Sequence, residues 1–270
     1  MCPQGRRQLV DEGRGRENMG NLICFSGNGM SRRVADELCR LGVPSDADSL
    51  GIVFPVYGWR TPKILARFIR TELAARLAGR RPTYIWTVMT CGDDVGFTDR
   101  VLDQQLRQAI GKGLDAAFSV LMPDTYIGLP GFVLDEDAEA AAKVRATLDL
   151  LPTIAAKVAA RKRVWELKRG VFPRTKTYLL GTFFNRFLVR AGFFRVDAAK
   201  CTRCGVCAKN CPCGTIELGE TGVTWRRDGS CTGCLRCLHN CPVTAIEYGR
   251  FTRGKARLGG GGSGAVEFIG

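Results

Sequence analysis

Cys201-Thr-Arg-Cys204-Gly-Val-Cys207-Ala-Lys-Asn-Cys211-Pro212 and Cys231-Thr-Gly-Cys234-Leu-Arg-Cys237-Leu-His-Asn-Cys241-Pro242 are two copies of one pattern, C-x2-C-x2-C-x3-C-P. Three thiolates at this spacing wrap one corner of an iron–sulfur cube, and the fourth cysteine of each run reaches the other cube. The expected sets are therefore crossed. Cys201, Cys204, Cys207 and Cys241 form one, and Cys231, Cys234, Cys237 and Cys211 form the other. Zinc also accepts four thiolates, but its sites normally show two separated pairs. Here each half holds a triplet followed by Cys-Pro.

Each motif is followed by a short apolar stretch, Thr215-Ile-Glu-Leu218 and Ala245-Ile-Glu-Tyr248. These read as strands shielding the clusters, with a hairpin turn at Gly219 to Gly222. Cys213 falls outside the pattern and reads as a small filler beside a cluster, with a spare ligand as the alternative. His239, the only histidine, reads as an exposed or packing residue. The stretch resembles the bacterial two-cluster ferredoxins over about 50 residues.

Thirteen cysteines and no apolar leader in residues 1–20 point to metal ligation in a reducing, cytoplasmic setting rather than to disulfides. No apolar run reaches 18 residues, so no transmembrane segment is expected. The net charge is +14, and twelve Lys or Arg between Lys157 and Lys200 face only Glu166 and Asp197. Such a field suits an acidic redox partner, an anionic surface or nucleic acid. No helix-turn-helix or aromatic/basic RNA motif accompanies it, which disfavours nucleic acid.

Upstream the pattern changes to apolar runs alternating with helical periodicity. Strands are expected at Asn21–Phe25, Gly51–Pro55, Thr83–Met89 and Ala116–Met122, with helices at Met30–Leu41, around Ile64–Leu77, and at Arg100–Ile110. This order predicts an α/β doubly wound parallel sheet. The turn Ser26-Gly27-Asn28-Gly29-Met30-Ser31 leads from the first strand into the first helix, where backbone N–H groups favour a phosphate. Tyr57, Gly58 and Trp59 follow the second strand, and Thr90, Cys91, Gly92, Asp93 and Asp94 follow the third. In an open α/β sheet these loops share the edge at which ligands bind.

With Pro62 and Met122-Pro-Asp-Thr-Tyr126 added, these residues resemble the flavodoxins, and the whole arrangement is similar to the flavodoxin–ferredoxin fusion ("ferrodoxin") family. The resemblance implies FMN, its phosphate at Ser26 to Ser31 and its ring near Tyr57, Trp59 and the Cys91–Asp94 loop. Asn28 and Met30 stand where hydroxyl or smaller polar residues are commoner.

The expected organisation is a disordered arm (1–20), a flavodoxin-like domain (21–134), a basic helical connection (135–195), a small α+β two-cluster ferredoxin domain (196–250) and a flexible Gly-rich tail (251–270). The connection should hold a long helix from Asp135 to about Lys168, interrupted near Pro152, then an aromatic segment, Thr177–Phe194, packed between the domains. The leading function is iron–sulfur electron transfer, coupled through FMN to two-electron chemistry in an oxidoreductase. A pure carrier with an empty flavodoxin-like domain is the alternative.

Overall fold

The computed structural model describes residues 21–43, 48–220 and 222–258, and the backbone of 266–269. The expected arm at 1–20 and the glycine run Gly259–Gly264 lie outside the described residues. Strands β1 (Leu22–Phe25), β2 (Ser49–Pro55), β3 (Tyr84–Cys91), β4 (Ala116–Leu121) and the two-residue β5 (Trp165–Glu166) are parallel neighbours in that order. Their centres read as nearly unbroken apolar runs because both faces are covered. Trp86, Val88, Phe118 and Val53 pack on one side under helices α1 (Met30–Arg40) and α5 (Asp137–Ala159). Ile52, Phe54, Ile85 and Met89 pack on the other, under α2 (Lys63–Thr71), α3 (Leu73–Arg76) and α4 (Thr98–Ile110).

Two details depart from the sequence reading. The long helix runs through Pro152 and stops at Ala159, not Lys168. Proline forfeits one backbone bond there, while Leu151, Ile154 and Ala155 around it stay buried against the sheet. Beyond the helix the chain rejoins the sheet, Ala117 facing Trp165 and Phe118 facing Glu166. The tail also differs. Val266–Ile269 forms β10, antiparallel to β1 from Leu22↔Ile269 to Phe25↔Val266. In the flavodoxin order 2-1-3-4-5, that edge belongs to a parallel strand arriving directly after the first helix.

The cysteine-rich part is a small α+β unit of two antiparallel pairs. β6 (Phe194–Val196) pairs with β9 (Ile246–Tyr248), and β7 (Ile216–Gly219) with β8 (Gly222–Trp225) around the Gly219↔Gly222 turn. Two one-turn helices, Val206–Lys209 and Arg236–His239, carry the middle of each motif. Its core joins Phe194, Ile216, Leu235, Leu238, Ile246 and Tyr248 to Ile127, contributed by the loop after β4. Residues 251–258 also belong to this body: Thr252 is buried, Lys255 Nζ donates to the carbonyls of Ile127, Leu129 and Phe132, and Arg257 pairs with Glu247 at 2.8 Å. No helix among the described residues is long and apolar enough to cross a membrane.

Candidate metal centre

The four cysteines Cys211, Cys231, Cys234 and Cys237 line a single cavity, floored by Phe194, Ile216 and Trp225. Cys207 interacts electrostatically with Cys204 and Cys241, so the last cysteine of the second run stands beside the first triplet. One cysteine of each run, Cys211 and Cys241, thus stands beside cysteines of the other run. All eight are free of disulfides. Local geometry explains the approach of backbone and sulfur: Gly205 (φ 74°) and Leu235 (φ 56°) each open their helix from a left-handed residue, which turns the preceding loop inward.

The two groups differ in exposure. Cys204 is at the surface, with exposed Lys200, Arg203 and Lys209 around it. The Cys231 group sits beneath the α/β domain, and burial pushes the thiols of Cys231 and Cys237 up, and that of Cys234 to about 12. Buried thiolates of this kind need a cationic centre to offset their desolvation, which coordination to iron supplies. Cys213 faces the same cavity, half-buried, its thiol raised by burial. The set Cys211, Cys231, Cys234 and Cys237 fits a four-iron cluster, whose chemistry when bound is the storage and passage of single electrons.

The expected flavin cleft is where the second cysteine loop docks. Asn28 Nδ2 donates to the Cys234 carbonyl at 3.0 Å and to Thr125 Oγ1 at 3.2 Å, and buried Arg236 Nη1 donates to the Gly27 carbonyl at 2.8 Å. His239, buried, bridges Thr125 and Leu258: the Leu258 N–H donates to Nδ1, so Nε2–H donates to the Thr125 carbonyl at 2.9 Å. Burial lowers its pKa to about 4 and keeps it neutral. It is a packing residue between domains. Lys63 Nζ donates to the Val189 carbonyl at 2.9 Å, its pKa lowered by burial and partly restored by Cys231.

Ser26 to Asn28, Met30, Ser31, Tyr57 and Thr90 to Gly92 line one small cleft with residues 122–126, while Gly58, Trp59 and Asp93 lie outside it. Tyr57 lies over Gly27, where an added Cβ would meet its hydroxyl and Cys234 Cβ at 2.9 Å. Gly58 abuts the Phe184 ring, and Trp59, at φ 55°, turns out of the cleft to lie against Gly96 and beneath Lys176. Ser31 shares a hydrogen bond with Thr90 Oγ1 at 2.8 Å, and Met30, the first residue of α1, is half-buried against the core. Cys91 is buried, its thiol raised to about 12 by burial. Gly92 lies beside Asp124, and exposed Asp93 reaches Lys168 at 3.4 Å. Only the phosphate end retains a suitable group. Ser26 Oγ is buried beside the start of α1 without a hydrogen-bond partner. As arranged, these residues do not fit a whole FMN.

The sequence did not single out Arg236, Lys63 or Asn185, which bond to Gly27, Val189 and Tyr57. Nothing in their spacing distinguishes them from surface residues. No curated protein matches the chain. Residues 200–246 match a family described as a 4Fe-4S dicluster domain, so the C-terminal part is ferredoxin-like, binds iron–sulfur clusters and serves electron transfer to a redox partner.

Proposed function

We propose that the chain is a two-cluster electron carrier in which the α/β domain caps the second cluster instead of holding a flavin. Cys201, Cys204, Cys207 and Cys241 hold the surface cluster, and Cys231, Cys234, Cys237 and Cys211 the covered one. The observation that carries this reading is the shared cavity of Cys211 with Cys231, Cys234 and Cys237, over which the Gly27–Asn28 turn is hydrogen-bonded to the Cys234–Arg236 loop. Electrons would enter or leave past Cys204. The exposed Lys200, Arg203 and Lys209 around it suit an acidic partner.

The test is quantitation of iron, sulfide and flavin on one anaerobic sample, with about eight irons and eight sulfides per chain expected and no releasable flavin. Zinc in place of iron, or iron for one cluster only, would refute the carrier. A second reading, an FMN-linked oxidoreductase, is favoured by the unpartnered Ser26 hydroxyl at the phosphate turn. It requires the Cys234–Arg236 loop to leave Gly27. FMN titration followed by fluorescence quenching separates the two: stoichiometric quenching by FMN but not riboflavin would make the flavin-linked reading the better one.

A further inference from the structure

Residues 173–188 form one helical run of α and π turns, and it is amphipathic in the wrong sense for a helix on a water-soluble domain. Its inward side is mostly small or polar. Thr177 Oγ1 accepts from the Phe97 N–H at 2.8 Å, Gly181 lies on the Gly58 carbonyl, and Asn185 Nδ2 donates to the Tyr57 carbonyl at 3.2 Å. Phe184 alone adds an inward ring, against Tyr126.

The large apolar side chains point outward. Phe172 is 76 % exposed, Leu179 65 % and Phe183 54 %, and Val171, Tyr178 and Phe187 continue the same surface. Leu179, Phe183 and Phe187 recur every four residues, and the last two rings are 5.1 Å apart. This is a contiguous patch, not scattered exposure.

The charge around it is of one sign. Between Glu166 and Asp197 the chain has no acidic residue but seven Lys or Arg. Arg169 and Lys176 turn inward to Asp99 and Asp94. Arg174, Arg186 and Arg190 stay exposed and meet no carboxylate among the described residues; Arg186 and Arg190 flank the Phe187 ring. An apolar strip edged by guanidinium groups that face no carboxylate complements an anionic lipid surface, in which rings and leucine enter the acyl boundary while the cations meet headgroup phosphates.

We propose that residues 171–187 seat this protein on an anionic bilayer, lying in the interface. The C-terminal end of the strip leads to the covered cysteine group, because Val189 packs on Gly233 beside Cys231 and Cys234. Lipid contact would therefore hold that group close to the membrane plane.

The experiment is co-sedimentation of the full, cluster-loaded chain with vesicles. Equimolar phosphatidylglycerol and phosphatidylcholine are compared with phosphatidylcholine alone, at low and high salt. Binding to the anionic vesicles, weakened by salt, is expected. Arg174→Gln and Arg186→Gln should each weaken it about fivefold. Leu179→Glu with Phe183→Glu should weaken it by at least about tenfold, with the visible cluster spectrum unchanged. Leu150→Glu, an exposed leucine on α5, should have no effect. As a second readout, Phe183→Trp should shift its emission to the blue only with anionic vesicles. No vesicle binding at low salt would overturn the proposal, as would binding indifferent to the Leu179/Phe183 pair. Concentration-dependent self-association abolished by that pair would overturn it too, by making the strip a contact between copies.

Discussion

At the scale of single residues, the crossed cysteines make the sharpest expectation. Cys211→Ala should cost the cluster shared with Cys231, Cys234 and Cys237 and spare the one beside it in sequence, read by electron paramagnetic resonance of the reduced protein. Loss confined to the Cys201 group would refute the crossing, and unchanged iron content would assign the ligand role to Cys213. Gly27→Val tests the cap itself. A side chain there must displace Tyr57 and the Cys234 loop, so about 1–3 kcal/mol of stability should be lost, as for overpacked cores; urea unfolding measures it. The cysteine motif was legible because its spacing is local, each cysteine of a run standing three or four residues from the next. Trp59 was not. Its left-handed backbone and the Lys176 ammonium over its ring depend on a segment more than a hundred residues away, so an aromatic at a strand end could only be read as a ring-binding candidate.

Elements were legible where periodicity was strong, and least so where packing overrode a local signal. The four longer strands of the parallel sheet and α1 emerge close to their expected bounds, since each strand is buried on both faces and each helix on one. The helix read as continuous from Ile64 to Leu77 breaks at Glu72, whose φ of −127° separates α2 from α3. The converse happened at Pro152, where burial of α5 on the sheet held a helix that proline would end in isolation. The aromatic segment was expected to be buried between domains, but only one side of it is. Gly181 makes that side possible by letting the helix touch the Gly58 carbonyl. Gly181→Leu should lift the helix, destabilise the protein by about 1–3 kcal/mol, and expose the 57–60 loop to limited proteolysis. An unchanged unfolding curve would show that this close approach is dispensable.

For the whole molecule, the joint between domains rests on a few buried polar contacts around Gly27, Asn28, Thr125, Arg236 and His239. Arg236→Ala removes a charged donor from the Gly27 carbonyl, a loss worth about 1.5–3 kcal/mol. It should also let the domains part, seen as faster exchange of amide protons in the Gly27–Ser31 turn. Equal exchange in variant and parent would mean that the remaining bonds suffice. Sequence alone gave no sign of this joint, because the polar residues that make it lie 97 to 209 positions apart. The return of β10 to β1 has a bearing on biosynthesis. β1 is among the first described segments to leave the ribosome, and its outer neighbour leaves after the whole cysteine module. At roughly 5–20 residues per second, the sheet's rim waits on the order of ten seconds or longer for that partner. All eight motif cysteines are translated before β10, so iron delivery can begin while the rim of the first domain is still open.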